Sequence, residues 1–425
     1  MFAFRTAVPP ALRHRDFRRF WLSLLGSNFG TQMAQVAVGW QVYAIHRSAF
    51  DLGLIGLAEF VPLPLLALPA GQLADRLPRT LIAAVSDVAQ AVIIGLLLVV
   101  TLAGAHQLWA FIALAALTGV AGAFGQPAGR SLAPEIVPGD LLAPAMALRS
   151  VAGQIATVSG PAFGGLLFAI RPEAVYATAA VLLALSGALV LLVRLPAMVT
   201  HDDAPRLESV LLGVRFIRST PILFGAISLD LFAVLFGGAV ALLPLYARSI
   251  LHTGPFGLGV LRSATAIGAL LAGLMLTRRP LGGRAGRTLL VSVATFGVSI
   301  VVFGLSHWFL VSFVALAVSG FADMLSMNIR STASALATPN ELRGRVNAVE
   351  GVFISASNEL GAFESGAAAA LVGAVPAVVA GGVVTILLAV TWGRLFPALA
   401  RVDRLEDVRP EPREPGSAAL DQVPA

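Results

Sequence analysis

Ionisable residues that stand inside long apolar stretches of this sequence include Glu59, Asp87, Asp230, Arg262, Asp323, Glu359 and Glu364. A charge placed in hydrocarbon costs about 2.5–3.5 kcal/mol on insertion scales, so each is a candidate for pairing or for moving a proton. Asp230 lies about ten residues into its apolar segment and Glu359 about thirteen into its own, which at 1.5 Å per residue sets both near the middle of a span. Arg262 and Glu364 fall in the outer third of theirs. Arg262 needs an acid, and Glu364 or Asp230 is the expected partner. A carboxyl whose surroundings change between two conformations can take up a proton in one and release it in the other. Asp230, Glu359, Glu364, Arg262 and Asp323 are therefore the proton-coupling candidates. The alternative is a permanent structural pair of arginine and acid. Glu359 and Glu364 are separated by about 140° of helical rotation and cannot share one site. Asp323 sits in the inner part of its segment, with Arg330 seven residues later on the same face. Asp87 reads as structural, whereas Glu59 fits a gate and a structural role equally.

Other chemistries are missing from the sequence. There is no cysteine, hence no disulfide, thiolate nucleophile or Cys-ligated metal. The six histidines show no metal-ligand spacing. Their one cluster, His201-Asp202-Asp203, reads as a solvated linker. No Ser/His/Asp set and no phosphate loop G-x-x-x-x-G-K-[ST] occurs. No catalytic residue, metal or cofactor is expected, and energy would come from a proton gradient. What remains is polarity suited to a solute. Asn28, Gln32 and Gln35 form an i, i+4, i+7 stripe with Thr31 alongside, and Gln126 is a candidate to face them. Such a stripe contacts a substrate if its helix lines a cavity; hydrogen bonding between helices is the alternative.

The elements that must position these residues follow from composition. Of 425 residues, 57% are hydrophobic and 12% charged, against roughly 25% charged in soluble domains. A span takes about 20 apolar residues, so the hydrophobic content suffices for about a dozen. Twelve apolar segments are readable, the first at 20–45 and the last at 374–396. The expected class is an all-α membrane protein of twelve transmembrane helices in two pseudo-symmetric six-helix halves. Nucleic-acid binding is excluded despite the +6 charge. All 29 basic residues are arginine, and 24 of them fall on one side of the alternating segments, which puts both termini in the cytosol. A basic segment (1–19), an N-terminal half (20–195), a central loop with an amphipathic stretch (196–220), a C-terminal half (221–400) and a charged, proline-rich tail (401–425) divide the chain.

The halves repeat one another. Arg76-Leu-Pro-Arg79-Thr80-Leu81 corresponds to Arg284-Ala-Gly-Arg287-Thr288-Leu289, and Arg130-Ser131 to Arg330-Ser331. Parallel repeats of this kind place a substrate site between the halves near mid-membrane.

Two motifs carry a resemblance. Gly71-Gln-Leu73-Ala-Asp75-Arg76-Leu-Pro78-Arg79-Thr80 resembles the Major Facilitator Superfamily signature G-x-L-A-D-R-x-G-R-[KR], with Pro78 and Thr80 as departures. Gly160-Pro161-Ala-Phe-Gly164-Gly165 resembles the end of that superfamily's antiporter motif, with Ala147 and Ala156 in place of earlier glycines. The residues Ser228-Leu-Asp230, Gly259-Val-Leu-Arg262 and Ser357-Asn-Glu359-Leu-Gly361 are similar to the enterobactin-exporter-like (transmembrane secretion effector) branch. The resemblance implies that the turn holding Gly71, Asp75, Arg76 and Arg79 latches the halves. It also implies that Gly160, Pro161, Gly164 and Gly165 go with export. A siderophore or comparable amphipathic molecule would leave across a bacterial-type inner membrane in exchange for protons, through a monomer in the bilayer. An importer or uniporter of a metabolite, or a membrane sensor or scaffold, are the competing readings.

Overall fold

A computed structural model describes residues 9–195, 207–279 and 283–404. Arg5, the His201-Asp202-Asp203 cluster and the tail from 405 lie outside the described residues, as does the side chain of Asp75. The chain is built from twelve long helical spans. The first six are α1 (Arg15–His46), α2 (Ala49–Phe60 continued by Pro62–Arg76), α3 (Arg79–Leu102), α4 (Leu108–Ile136), α5 (Leu142–Ile170) and α6 (Pro172–Leu191). After a connector helix at Leu207–Ser219 come α7 (Pro221–Ile250), α8 (Gly254–Arg278), α9 (Ala285–Leu305), α10 (Phe309–Ala337), α11 (Asn340–Val372) and α12 (Ala374–Leu395). Ten of these are long and apolar enough to cross a membrane among the described residues. α1 and α11 are as long, but carry Asn28, Gln32 and Gln35 in the one and Glu350, Asn358, Glu359 and Glu364 in the other. Both helices that fall short on composition bring polar groups between the halves.

Local chemistry sets the boundaries. Prolines at the first turns of α6, α7 and α8 sit where a backbone N–H has no helical partner. Ser48 caps α2 by accepting from the Asp51 amide at 3.2 Å. α5 and α6 are joined through Arg171 alone, which forces them antiparallel. α7 is irregular after Gly237, passing through 3-10 and π turns from Ala239 to Ile250. Val240, Ala241 and Pro244 of that stretch line a cavity, the setting in which broken backbone is tolerated at membrane depth.

Packing repeats between the halves: α3 lies on α6 and α4 as α9 lies on α12 and α10. Between the halves, α5 packs on α8 and α2 on α11. One apolar core spans both halves and gathers residues such as Trp40, Leu52, Phe168, Tyr246 and Leu258. It occupies the end whose connections carry few arginines. At the arginine-rich end the cores belong to one half each: Phe17, Leu132 and Val190 in the first, Leu229, Leu289 and Ile329 in the second. The halves are thus joined at the arginine-poor end and separately packed at the other.

Candidate functional site between the halves

Glycines let the helices that carry the site approach. The ideal Cβ of Gly164 would lie 2.8 Å from the Met33 Cα, and that of Gly160 2.8 Å from the Gln32 Cβ, so α5 is pressed onto α1. Gly165 meets the Pro255 carbonyl, and Gly259 the Pro161 carbonyl, where α5 crosses α8. The Gly160–Gly165 motif is therefore a packing surface that joins α1, α5 and α8. Across the other seam, Gly53 lies against Phe363 and Gly56 against Ala362. A Cβ on Gly56 would lie 3.4 Å from Glu359 Oε2, so its absence leaves room for that carboxylate to reach the opposite half.

These crossings enclose a cavity of about 180 Å³. Its polar groups include Thr31 and Gln35 of α1, Glu59 of α2, Arg262 of α8 and Glu359 of α11. Its walls are apolar, with Ile55, Ile94, Leu97 and Phe111 among them. Arg262 Nη2 donates to Gln35 Oε1 at 2.9 Å, a bond from the second half to the first. Glu59 and Glu359 both act electrostatically on Arg262 and on each other. Two carboxyls, one from each half, thus line one cavity with a half-buried arginine.

The structure divides the sequence candidates. Arg262 is grouped with Glu59 and Glu359, which corrects the expectation that Glu364 or Asp230 would be its partner. Depth along a helix follows from residue count, but azimuth does not. Glu364 projects from another face of α11, and Asp230 faces into the second half, where it forms an ion pair with Arg330. Asp323 and Glu350 act on that same pair. The α1 stripe also divides: Thr31 and Gln35 line the cavity, Gln32 packs against Gly160, and Asn28 and Gln126 are not among the cavity-lining residues. In the turn after α2, Arg76 is exposed and Arg79 pairs with Glu135 of α4, inside its own half.

Glu59, Arg330 and Glu350 were not selected as site residues from sequence. The sequence leaves Glu59 evenly between gate and structure, and it sets Arg330 on the face of Asp323 without a sign of its partner Asp230. Glu350 sits in a helix with four acids in or near its interior, without spacing that separates it from the others.

Asp87 accepts from Ser27 of α1 at 2.9 Å and from Ser186 of α6 at 2.5 Å. It ties α3 to two neighbours inside one half. Asp87→Ala would take the acceptor from Ser27, while Ser186 keeps the Ser23 carbonyl at 2.8 Å, a cost of about 0.5–1.5 kcal/mol for the bond lost. The expected result is a lower melting temperature of the purified protein in detergent, with transport per folded molecule preserved.

Twelve spans in two repeated halves around a cavity lined by one arginine, Arg262, have the architecture of a Major Facilitator Superfamily transporter. Residues 6–419 match the model of the transmembrane secretion effector family, and the chain belongs to that family. It is 28% identical over 362 residues to the multidrug efflux pump Tap of Mycolicibacterium fortuitum, covering 80% of this chain and 86% of that protein. It is 28% identical over 345 residues to the enterobactin exporter EntS of Citrobacter koseri, covering 79% and 80%. Among solved structures, a bacterial homolog of the human lysosomal transporter Spinster, inward-facing and occupied, superposes with a TM-score of 0.70 at 14% identity over 92% of this chain and 97% of that one. The chain is a multi-pass membrane transporter and not an enzyme.

Proposed function

We propose that the protein exports a small amphipathic molecule, siderophore- or drug-like, across the inner membrane in exchange for protons. The observation that carries this reading is Arg262 in the wall of the cavity, bonded to Gln35 of the other half, with Glu59 of one half and Glu359 of the other lining the same cavity. A charge set at the seam responds to both events that an exchanger must link. A proton on Glu59 or Glu359 weakens the hold of Arg262, and a substrate entering the cavity competes for the same groups. Apolar walls beside these charges suit an amphipathic solute. The two relatives named above, one a multidrug pump and one an enterobactin exporter, support export of such a molecule.

With the arginine-rich end in the cytosol and both termini there, the cavity side faces inward, and closure at the arginine-poor end keeps it from the opposite side. The six-helix units, 20–195 and 221–400, would rock about this seam in a monomer. The turn at Gly71, Asp75, Arg76 and Arg79 would latch them in the alternate state, in which the arginine-rich ends meet.

The test is transport into everted vesicles with two probes, ethidium and enterobactin. Accumulation of either that collapses with a protonophore is the expected result. Transport indifferent to the proton gradient would overturn the exchange, and uptake in the opposite direction would overturn export.

A further inference from the structure

The charges that line the cavity between the halves do not cancel. Glu59 of α2, Arg262 of α8 and Glu359 of α11 are its ionisable side chains. From α1, α3, α4, α6 and α7 come polar groups such as Gln35, Gln90 and Thr118 and apolar ones, with no further titratable group among the described residues. Asp230, Asp323, Arg330 and Glu350 stand outside this lining. Two carboxylates against one guanidinium leave one negative charge.

The guanidinium is engaged and the carboxyls are not. Arg262 Nη2 donates to Gln35 Oε1 at 2.9 Å. Among the described residues, neither a hydrogen bond nor a salt bridge holds Glu59 or Glu359, so both are open to whatever enters. The walls beside them, Ile55, Leu97 and Phe111 included, are apolar. An uncompensated carboxylate in such surroundings is costly, and a proton or a monovalent cation removes that cost equally well. An anion would instead raise the surplus to two.

We infer that the cavity selects amphipathic organic cations of single positive charge, and that one proton on Glu59 or Glu359 takes the cation's place on the return. Exchange is then one for one and electroneutral. With the cavity open to the cytosol, the cation pairs with an ionised carboxylate. On the opposite side the cation leaves, an O–H bond forms on that carboxyl, and a hydronium ion becomes water. Back at the cytosolic side the O–H bond breaks, water takes the proton, and the next cation enters. Each crossing carries a neutral set through a medium of low dielectric. This inference rests on the proton-coupled export reading above and deepens it by fixing the charge of the substrate.

The test uses the full chain in detergent and two probes of one shape and opposite charge, tetraphenylphosphonium and tetraphenylborate, with binding measured by calorimetry. The phosphonium should bind at least about tenfold more tightly than the borate. Its apparent dissociation constant should rise about tenfold per pH unit on the acid side, as one proton displaces one cation. Glu59→Gln and Glu359→Gln each make the set neutral and should each weaken the phosphonium at least about tenfold; the double substitution leaves a positive surplus and should reverse the preference. In liposomes with a fixed pH difference, ethidium flux should change less than about twofold when valinomycin and potassium impose a potential. The measurements on the unaltered protein stand whether or not a variant folds. Equal binding of the two ions, phosphonium binding indifferent to pH, or ethidium flux that follows the potential would each overturn the inference. Equal binding in a protein that still transports with the proton gradient overturns the cation site and leaves the exchange reading intact. Acid-sensitive phosphonium preference in a protein whose transport ignores that gradient supports the cation site and overturns the exchange reading alone.

Discussion

Arg262→Ala is expected to reduce proton-driven ethidium transport in everted vesicles by more than about a hundredfold. Arg262 is the one cation among the described residues lining the cavity, and removing it leaves the facing carboxyls uncompensated, a loss that reaches about 3–5 kcal/mol for a fully buried pair. At this site two carboxyls are left, Glu59 on one half and Glu359 on the other, with Gln35 deprived of its donor. Their mutual repulsion acts across the seam and favours opening at the arginine-poor end. The chain has no cysteine, so Ile55→Cys in the cavity wall supplies the sole thiol as a reporter. Labelling of that thiol by an impermeant maleimide applied from the arginine-poor side should rise in Arg262→Ala. Adding Glu59→Gln should lower it again, because one of the facing carboxyls can then no longer carry charge. Arg262→Lys should fall between, since a lysine keeps the charge but not the planar fork that reaches Gln35. Unchanged labelling and unchanged transport in Arg262→Ala would remove this site from the mechanism.

The sequence makes the spans legible because hydrocarbon demands a long apolar run wherever the chain crosses, and α6, α9 and α12 show such runs with no charge in their interiors. Depth is legible for Asp230, nine residues past Pro221, but not for Glu359: its helix starts at Asn340, ahead of the apolar run, and sets it nineteen residues in. Partners are not legible. Arg262 finds Glu59 because α2 and α8 both border one cavity, and that depends on how two six-helix units meet rather than on spacing within either. Gln32 and Gln35 are three residues apart on one stripe, yet one packs against Gly160 and the other holds Arg262. What separates them is the position of α5, set by glycines in a different helix. Glu350 had no pattern to mark it, because its surroundings are made by Ser334 and Arg330 of the preceding helix across a tight turn.

Gly259→Val should trap the protein open at the arginine-poor end without unfolding it. A Cβ at Gly259 would meet the Pro161 carbonyl and lie 3.0 Å from the Ala162 Cα, both backbone atoms of α5. Backbone does not swing aside as a flexible side chain does, so α8 and α5 must move apart as bodies. Overpacking of this kind costs about 1–3 kcal/mol, and here the strain falls on one conformation alone. The cores at the arginine-rich end belong to separate halves and do not pass through this crossing. Differential strain of about 1–3 kcal/mol shifts a two-state equilibrium by about 5–150-fold. The distance between spin labels on the arginine-poor ends of α5 and α8 should therefore lengthen, while the melting temperature stays close to that of the unaltered protein. Transport should fall with the population of the closed state. Gly153→Val on α5, the other helix of that crossing, where a Cβ meets nothing within 4 Å, is the control and should transport normally. If Gly259→Val kept both the short distance and full activity, closure would have to run through the α2–α11 seam alone, and the Gly160–Gly165 surface would be packing without a part in the cycle.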